Sequence, residues 1–306
     1  MSTPTALPQP DTRLAATSSY YDSLPGVRLL RLALGTAQAV WPTLGVRAAH
    51  ALFTTPLPPR WLLPRTRWGT TWQSERWPFE QASLTLHHPR GLHGGSAGPV
   101  VVLAHGWGGH AGQMRALAEH LHTQGLVPMV MDLPAHGASQ GRRSSLPQFM
   151  RALDYGVARL RAQGYQVLGL VAHSMGANAA AAAVSRGLAV DRLVLLAPPA
   201  SPRQYTRLFA QVFGLSEPTR QGFQQRIEAQ QGVLMRDLEP QSVGPRIQAT
   251  TLVVHDRNDR VNAFADGQAY TQAIAGAQLL ATEGLGHRRI LNDPAVVQAV
   301  GRFLRA

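Results

Sequence analysis

Apolar positions follow two rhythms along this chain. Short unbroken runs recur at Val100–Ala104, Leu126–Met131, Val167–Val171, Leu193–Ala197 and Thr251–His255. Runs of that length without polar alternation predict strands buried on both faces, as in a parallel sheet. Between them the apolar spacing becomes helical, over Gly112–Thr123, Leu146–Ala162, Met175–Ser185, Ala263–Ile274 and Pro294–Leu304. Thr70–Ser74, Ala82–His87 and Gln278–Ala281 read as further strands. Strand–helix alternation of this kind predicts an α/β fold with a mostly parallel, doubly wound sheet.

Three stretches depart from the rhythm. Residues 1–23 are rich in Ser, Thr, Pro and Ala and predict a disordered arm. Residues 24–65 predict a helical extension ending in a linker. Leucines at helical spacing run from Val27 to Trp41, a second helix spans Thr43 to Phe53, and PLPPRWLLPR closes the segment. The main domain is expected over 66–306, with a helical insertion at about 198–247 that carries Phe209, Val212, Phe213, Phe223 and Ile227. Arg28, Arg31, Arg47 and His50 make the first helical pair too polar to span a membrane. Packing onto the following domain is expected ahead of lying on a membrane surface.

Composition narrows the function. The 306-residue chain has no cysteine, which excludes disulfides, thiolate metal sites and cysteine nucleophiles. Its formal charge is +12, yet every one of the 29 basic residues is arginine and they are scattered rather than clustered. That argues against a nucleic-acid partner. Met1–Pro10 carries no basic residue and does not resemble a secretory signal, so a cytoplasmic location is expected. Nothing in the sequence bears on oligomeric state.

Ligands of open α/β sheets bind beyond the carboxyl ends of the strands. Four such places carry reactive or permissive residues: His105-Gly106-Trp107-Gly108-Gly109, Ala172-His173-Ser174-Met175-Gly176, Asp256-Arg257-Asn258-Asp259, and Glu283-Gly284-Leu285-Gly286-His287. Serine, acid and histidine in that order, together with the MDLPAHGAS loop, resemble the α/β-hydrolase superfamily in its serine esterase and lipase branch. The resemblance covers roughly Thr70 to Ala306. One departure is that the usual G-x-S-x-G elbow begins here with Ala172, a methyl group larger.

The resemblance implies a catalytic triad of Ser174, Asp259 and His287, an oxyanion hole from the backbone N–H groups of Trp107 and Met175, and a lid at the insertion. Asp256 competes for the acid role; the family pattern places the acid three residues later and favours Asp259. Ser174 could instead be an ordinary helix cap. His105, His136 and His173 sit in motif turns and read as structural. His87, His88 and His93 are assigned to a glycine-rich loop, His120 and His122 to a helix, and Arg288 and Arg289 to solvent. No H-E-x-x-H, no phosphate loop and no lysine are present, so neither metal nor cofactor is expected. The implied activity is hydrolysis of carboxylic esters with short or medium apolar acyl chains through an acyl-enzyme, with a small-molecule apolar ester as partner. Thioester or amide hydrolysis, acyl transfer, and a non-catalytic binding protein are the alternatives.

Overall fold

The computed structural model describes residues 26–57, 66–92 and 98–306. The arm predicted at 1–23, linker residues 58–65 and His93 lie outside them. The described elements are, in order, α1 Val27–Val40, α2 Pro42–Phe53, β1 Trp72–Phe79, β2 Ala82–Pro89, β3 Val100–Ala104, α3 Arg115–Thr123, β4 Val127–Asp132, α4 Leu146–Ala162, β5 Val167–His173 and α5 Met175–Ser185. There follow β6 Arg192–Leu196, α6 Pro202–Phe213, α7 Glu217–Gln231, α8 Pro240–Val243, β7 Thr250–Asp256, α9 Phe264–Ala273, β8 Gln278–Thr282, α10 Gly286–Arg289 and α11 Pro294–Arg305.

The eight strands form one sheet in the order β1-β2-β4-β3-β5-β6-β7-β8. β1, β2 and β4 pair antiparallel, and every pairing from β4 through β3 to β8 is parallel. Successive residues of a strand face opposite ways, and both faces of β3 are used. Val100, Val102 and Ala104 enter a core shared with α4, α5 and α9. Val101 and Leu103 enter a second core shared with α3 and α11. This two-sided burial is why the strands read as continuous apolar runs.

β1 begins at Trp72 and continues to Phe79, beyond the predicted Thr70–Ser74. Glu75, Arg76 and Pro78 hide it in the sequence. An edge strand tolerates all three because one side of its ladder is unpaired. His87 and His88 belong to β2 and are buried, rather than standing in a glycine-rich loop.

A third core forms where α1 and α2 meet the insertion. Val27, Leu34 and Ala49 pack with Phe209, Val212, Phe213 and Phe223 of α6 and α7. The helices approach closely, since a Cβ on Gly222 of α7 would lie 2.7 Å from Val46 of α2. Polar bonds hold the same seam. Arg31 Nε donates to the Val212 carbonyl at 2.6 Å, Gln38 Nε2 donates to the Gly214 carbonyl at 2.9 Å, and Gln38 Oε1 accepts from Ser216 N at 2.8 Å. The extension therefore packs on the insertion between β6 and β7 rather than on the sheet. No helix among the described residues is long and apolar enough to cross a membrane.

Candidate active site

Ser174 stands between β5 and α5 with φ 55° and ψ −128°, a conformation that L residues avoid and that functional turns often retain. Close packing enforces the turn. A Cβ on Gly176 would fall 2.3 Å from the His105 carbonyl oxygen, and one on Gly106 would fall 2.7 Å from the Ser174 Cβ. Ala172 is fully buried, so its extra methyl is accommodated within the core. Ser174 makes no side-chain capping bond to α5, which sets aside the plain-cap alternative.

The Ser174 hydroxyl lies 3.1 Å from His287 Nε2. On the opposite edge of that imidazole, Nδ1 lies 2.8 Å from Asp259 Oδ2. An acceptor on Nδ1 places the ring hydrogen there and leaves Nε2 free to accept from the serine. The Asp259 carboxylate is fully buried, and its other oxygen accepts from Val261 N at 2.8 Å and Asn262 N at 3.0 Å. Two backbone donors and one ring donor thus hold the carboxylate in a single orientation.

Asp256 faces elsewhere. Its oxygens accept from Asn258 N, Thr282 Oγ1 and Leu285 N at 2.9, 2.8 and 3.0 Å. Desolvation pushes its carboxyl up, but these bonds and one from Gly286 outweigh it and hold the group below the usual carboxylate range. Asp256 closes the loop that carries His287 and does not touch the ring.

The N–H groups of Trp107 and Met175 face no acceptor among the described residues. Their neighbours do have partners: Gly109 N donates to the Gly106 carbonyl at 3.1 Å and Gly108 N to His136 Nε2 at 3.0 Å. Met175 opens α5, where the first N–H groups have no partner within the helix. Two unused donors therefore flank Ser174, one from each neighbouring strand end.

Three buried histidines surround this frame. Desolvation lowers His105 and His173, and it brings His136 down to about 3. His173 Nε2 donates to the His287 carbonyl at 2.9 Å, so the turn before the serine grips the backbone of the histidine facing it. The loop after β4 is visible in the sequence, but the role of Asp132 at its start is not. Asp132 accepts from Ala111 N, Ala138 N and His87 Nε2 at 2.6, 2.9 and 3.0 Å, tying the loops after β3 and β4 together. A Cβ on Gly137 would lie 2.0 Å from that carboxylate, so the glycine is the one local signal of it.

Above Ser174 opens a cavity of about 280 Å³ whose walls are mostly apolar. Leu208, Phe209, Ile227, Met235 and Leu238 of the insertion line it, and so do Phe53 and Thr54 at the end of the extension. Arg288 also lines it, next to His287, while Arg289 is exposed and donates to the Leu285 carbonyl at 2.9 Å. Among the described residues no group of three or more histidine, cysteine or acidic side chains is arranged to hold a metal ion.

Sheet order, the strained serine turn and the serine–histidine–aspartate contacts at the strand ends are those of the α/β-hydrolase fold. Residues 95–242 match the family described as serine aminopeptidase, S33. A 52-residue stretch is 50% identical to a pimeloyl-[acyl-carrier protein] methyl ester esterase of Chromobacterium violaceum. It amounts to 17% of this chain and 18% of that protein. Among solved structures, an esterase of Pyrococcus furiosus is similar at TM-score 0.60 and 19% identity, covering 82% of this chain and 96% of that one. The thioesterase domain from the curacin biosynthetic pathway is similar at TM-score 0.56 and 20% identity, covering 77% and 99%.

Proposed function

We propose that this protein is a serine hydrolase that cleaves carboxylic esters of short or medium apolar acyl groups through an acyl-enzyme. The observation that carries the reading is the line from Ser174 Oγ through the two nitrogens of His287 to Asp259, ending at an apolar cavity. Ser174 Oγ attacks the ester carbonyl while His287 Nε2 takes its proton, because an alcohol is a poor nucleophile at neutral pH. Asp259 holds the imidazole in the required tautomer and stabilises the imidazolium. The N–H groups of Trp107 and Met175 receive the oxyanion, each lowering the barrier by on the order of 3 kcal/mol. His287 then returns the proton to the departing alkoxide. A water molecule, deprotonated by the same nitrogen, releases the acid and regenerates Ser174. The residues carry this chemistry without a cofactor, and the insertion serves as the lid over the acyl group.

Labelling by a fluorophosphonate tests the reading without a guess at the substrate. Wild type should label, and Ser174→Ala and His287→Ala should not. A folded wild type that resists labelling would return the protein to the non-catalytic class. Arg288 favours a second reading. It lines the cavity beside His287 and no carboxylate pairs with it among the described residues, so a leaving group carrying an anion, including a thiol-bearing carrier, suits that side. Thioester and ester panels with charged and neutral leaving groups separate the two.

A further inference from the structure

We infer that the N-terminal helical pair is part of the substrate-binding wall and that Phe53, its last helical residue, selects the size of the acyl group. The inference rests on reading the cavity above Ser174 as the acyl pocket. Phe53 and Thr54 line that cavity together with residues of the insertion, although they stand more than a hundred positions before Ser174.

Phe53 is not a loose rim residue. Its ring stacks edge-on against Phe209 with centroids 5.1 Å apart and lies tilted against Phe223 at 5.3 Å. Phe209 lines the cavity too, while Phe223 is fully buried behind the pair. Aromatic contacts of this kind fix a ring's position and therefore the shape of the wall it makes. The backbone just after the ring is fixed as well. Thr54 O accepts from Ser144 N at 2.8 Å, and Thr54 Oγ1 donates to the His50 carbonyl at 2.8 Å. With that hydroxyl engaged by its own helix, this part of the wall remains apolar in character.

The seam described above makes the attachment durable. Gly222 admits Val46 at a distance that only glycine permits, Arg31 bonds to the backbone of the last turn of α6, and Gln38 bonds to that of the α6–α7 connection. The α1–α2 pair and the insertion are thus one packed unit over Ser174, and pocket volume depends on both. The family match at residues 95–242 includes most of the insertion but not the extension.

The experiment uses full-length Ser174→Ala protein, in which hydrolysis is removed, and saturated fatty acids from butanoic to tetradecanoic as competitors of dansyl-undecanoic acid. Phe53→Ala in that background is expected to move the preferred acid to longer chains. The ratio of dodecanoic to hexanoic affinity should rise about 10-fold, the effect of roughly two further buried methylenes. Phe53→Trp should move it the other way. Melting curves establish folding, and Phe53→Leu stands in if the alanine variant does not fold.

An unchanged chain-length ratio in the folded variants overturns the inference, and so does failure of every acid to displace the probe. Fluorophosphonate labelling of the serine-containing protein reports separately on the hydrolase reading. Loss of labelling with a retained shift in acid preference would sink the hydrolase and leave the Phe53 wall standing.

Discussion

The His105 imidazole donates from Nδ1 to the Gly106 carbonyl at 2.7 Å and accepts at Nε2 from Leu133 N at 3.0 Å. The Gly106 carbonyl and the Trp107 N–H belong to one peptide plane and point opposite ways across a trans bond. Holding the carbonyl toward His105 and Gly109 therefore aims the Trp107 N–H away from them. His105 is a positioning residue in this arrangement. His105→Ala should lower kcat on short esters by about 10- to 100-fold with little change in KM, less than outright loss of an oxyanion donor. His105→Asn, which keeps a donor near Nδ1, should recover part of the loss. Equal losses in both variants, or a loss confined to KM, would refute the positioning role.

Stability should decline on mild acidification. His136 accepts from Gly108 N at Nε2 and donates from Nδ1 to the Pro134 carbonyl at 2.8 Å, an arrangement that only the neutral ring can make. Desolvation brings it down to about 3 in the folded chain, whereas the unfolded chain protonates near the ordinary value of about 6.5. The unfolded state thus binds more protons between these values. Stability is fully present above the unfolded value and is lost as pH falls toward the folded one, at up to about 1.4 kcal/mol per pH unit for this residue. Urea midpoints from pH 7 to pH 4 should fall for wild type and fall less steeply for His136→Asn.

The two aspartates after β7 should separate cleanly. Asp259→Asn keeps the packing but presents an amide where His287 Nδ1–H needs an acceptor, so kcat should drop by about 10³- to 10⁴-fold without unfolding. Asp256→Asn should weaken the loop bonded to Thr282 and Leu285, with a lower melting temperature and a much smaller loss of kcat. Parallel kinetics and melting curves for both variants check this, and the reverse ranking would transfer the acid role to Asp256.

Gly176→Ala tests the steric basis of the serine turn. The added methyl meets the His105 carbonyl oxygen at 2.3 Å, a backbone atom that cannot swing aside. Overpacking of that kind costs about 1–3 kcal/mol or more and should also displace Ser174. Loss of fluorophosphonate labelling together with a lower melting temperature is the expected pair of outcomes. Gly214 offers the control, because a Cβ there meets nothing within 4 Å and only its φ of 64° resists substitution.

Gln38→Ala should loosen the seam between the extension and the insertion. It removes one bond to the Gly214 carbonyl and one from Ser216 N, for about 1–2 kcal/mol in total at this exposed site. Amide exchange should accelerate around residues 212–218 while α3 and α11 keep their protection. Uniform acceleration across the chain would mean that the extension supports global stability rather than the insertion.

The elements of the sheet are legible in the sequence because burial on both faces leaves no polar positions to blur a run. Val100–Ala104 and the helices Leu146–Ala162 and Met175–Ser185 have the bounds that the pattern predicts. The serine, the two candidate acids and the terminal histidine can be placed as well, since each follows closely on such a run. Other features depend on contacts between distant segments. Side chains three residues apart in the loop after β7 turn to opposite partners, Asp256 to Leu285 and Asp259 to His287. Spacing alone admits either. An amphipathic helix declares that one face is buried but not against what, so only the tertiary fold decides that α1 and α2 pair with the insertion. The same holds for Phe53 in the cavity wall and Asp132 between two loops. Local pattern is set by how a residue meets water, whereas partnership across the chain is set by packing that no window of sequence contains.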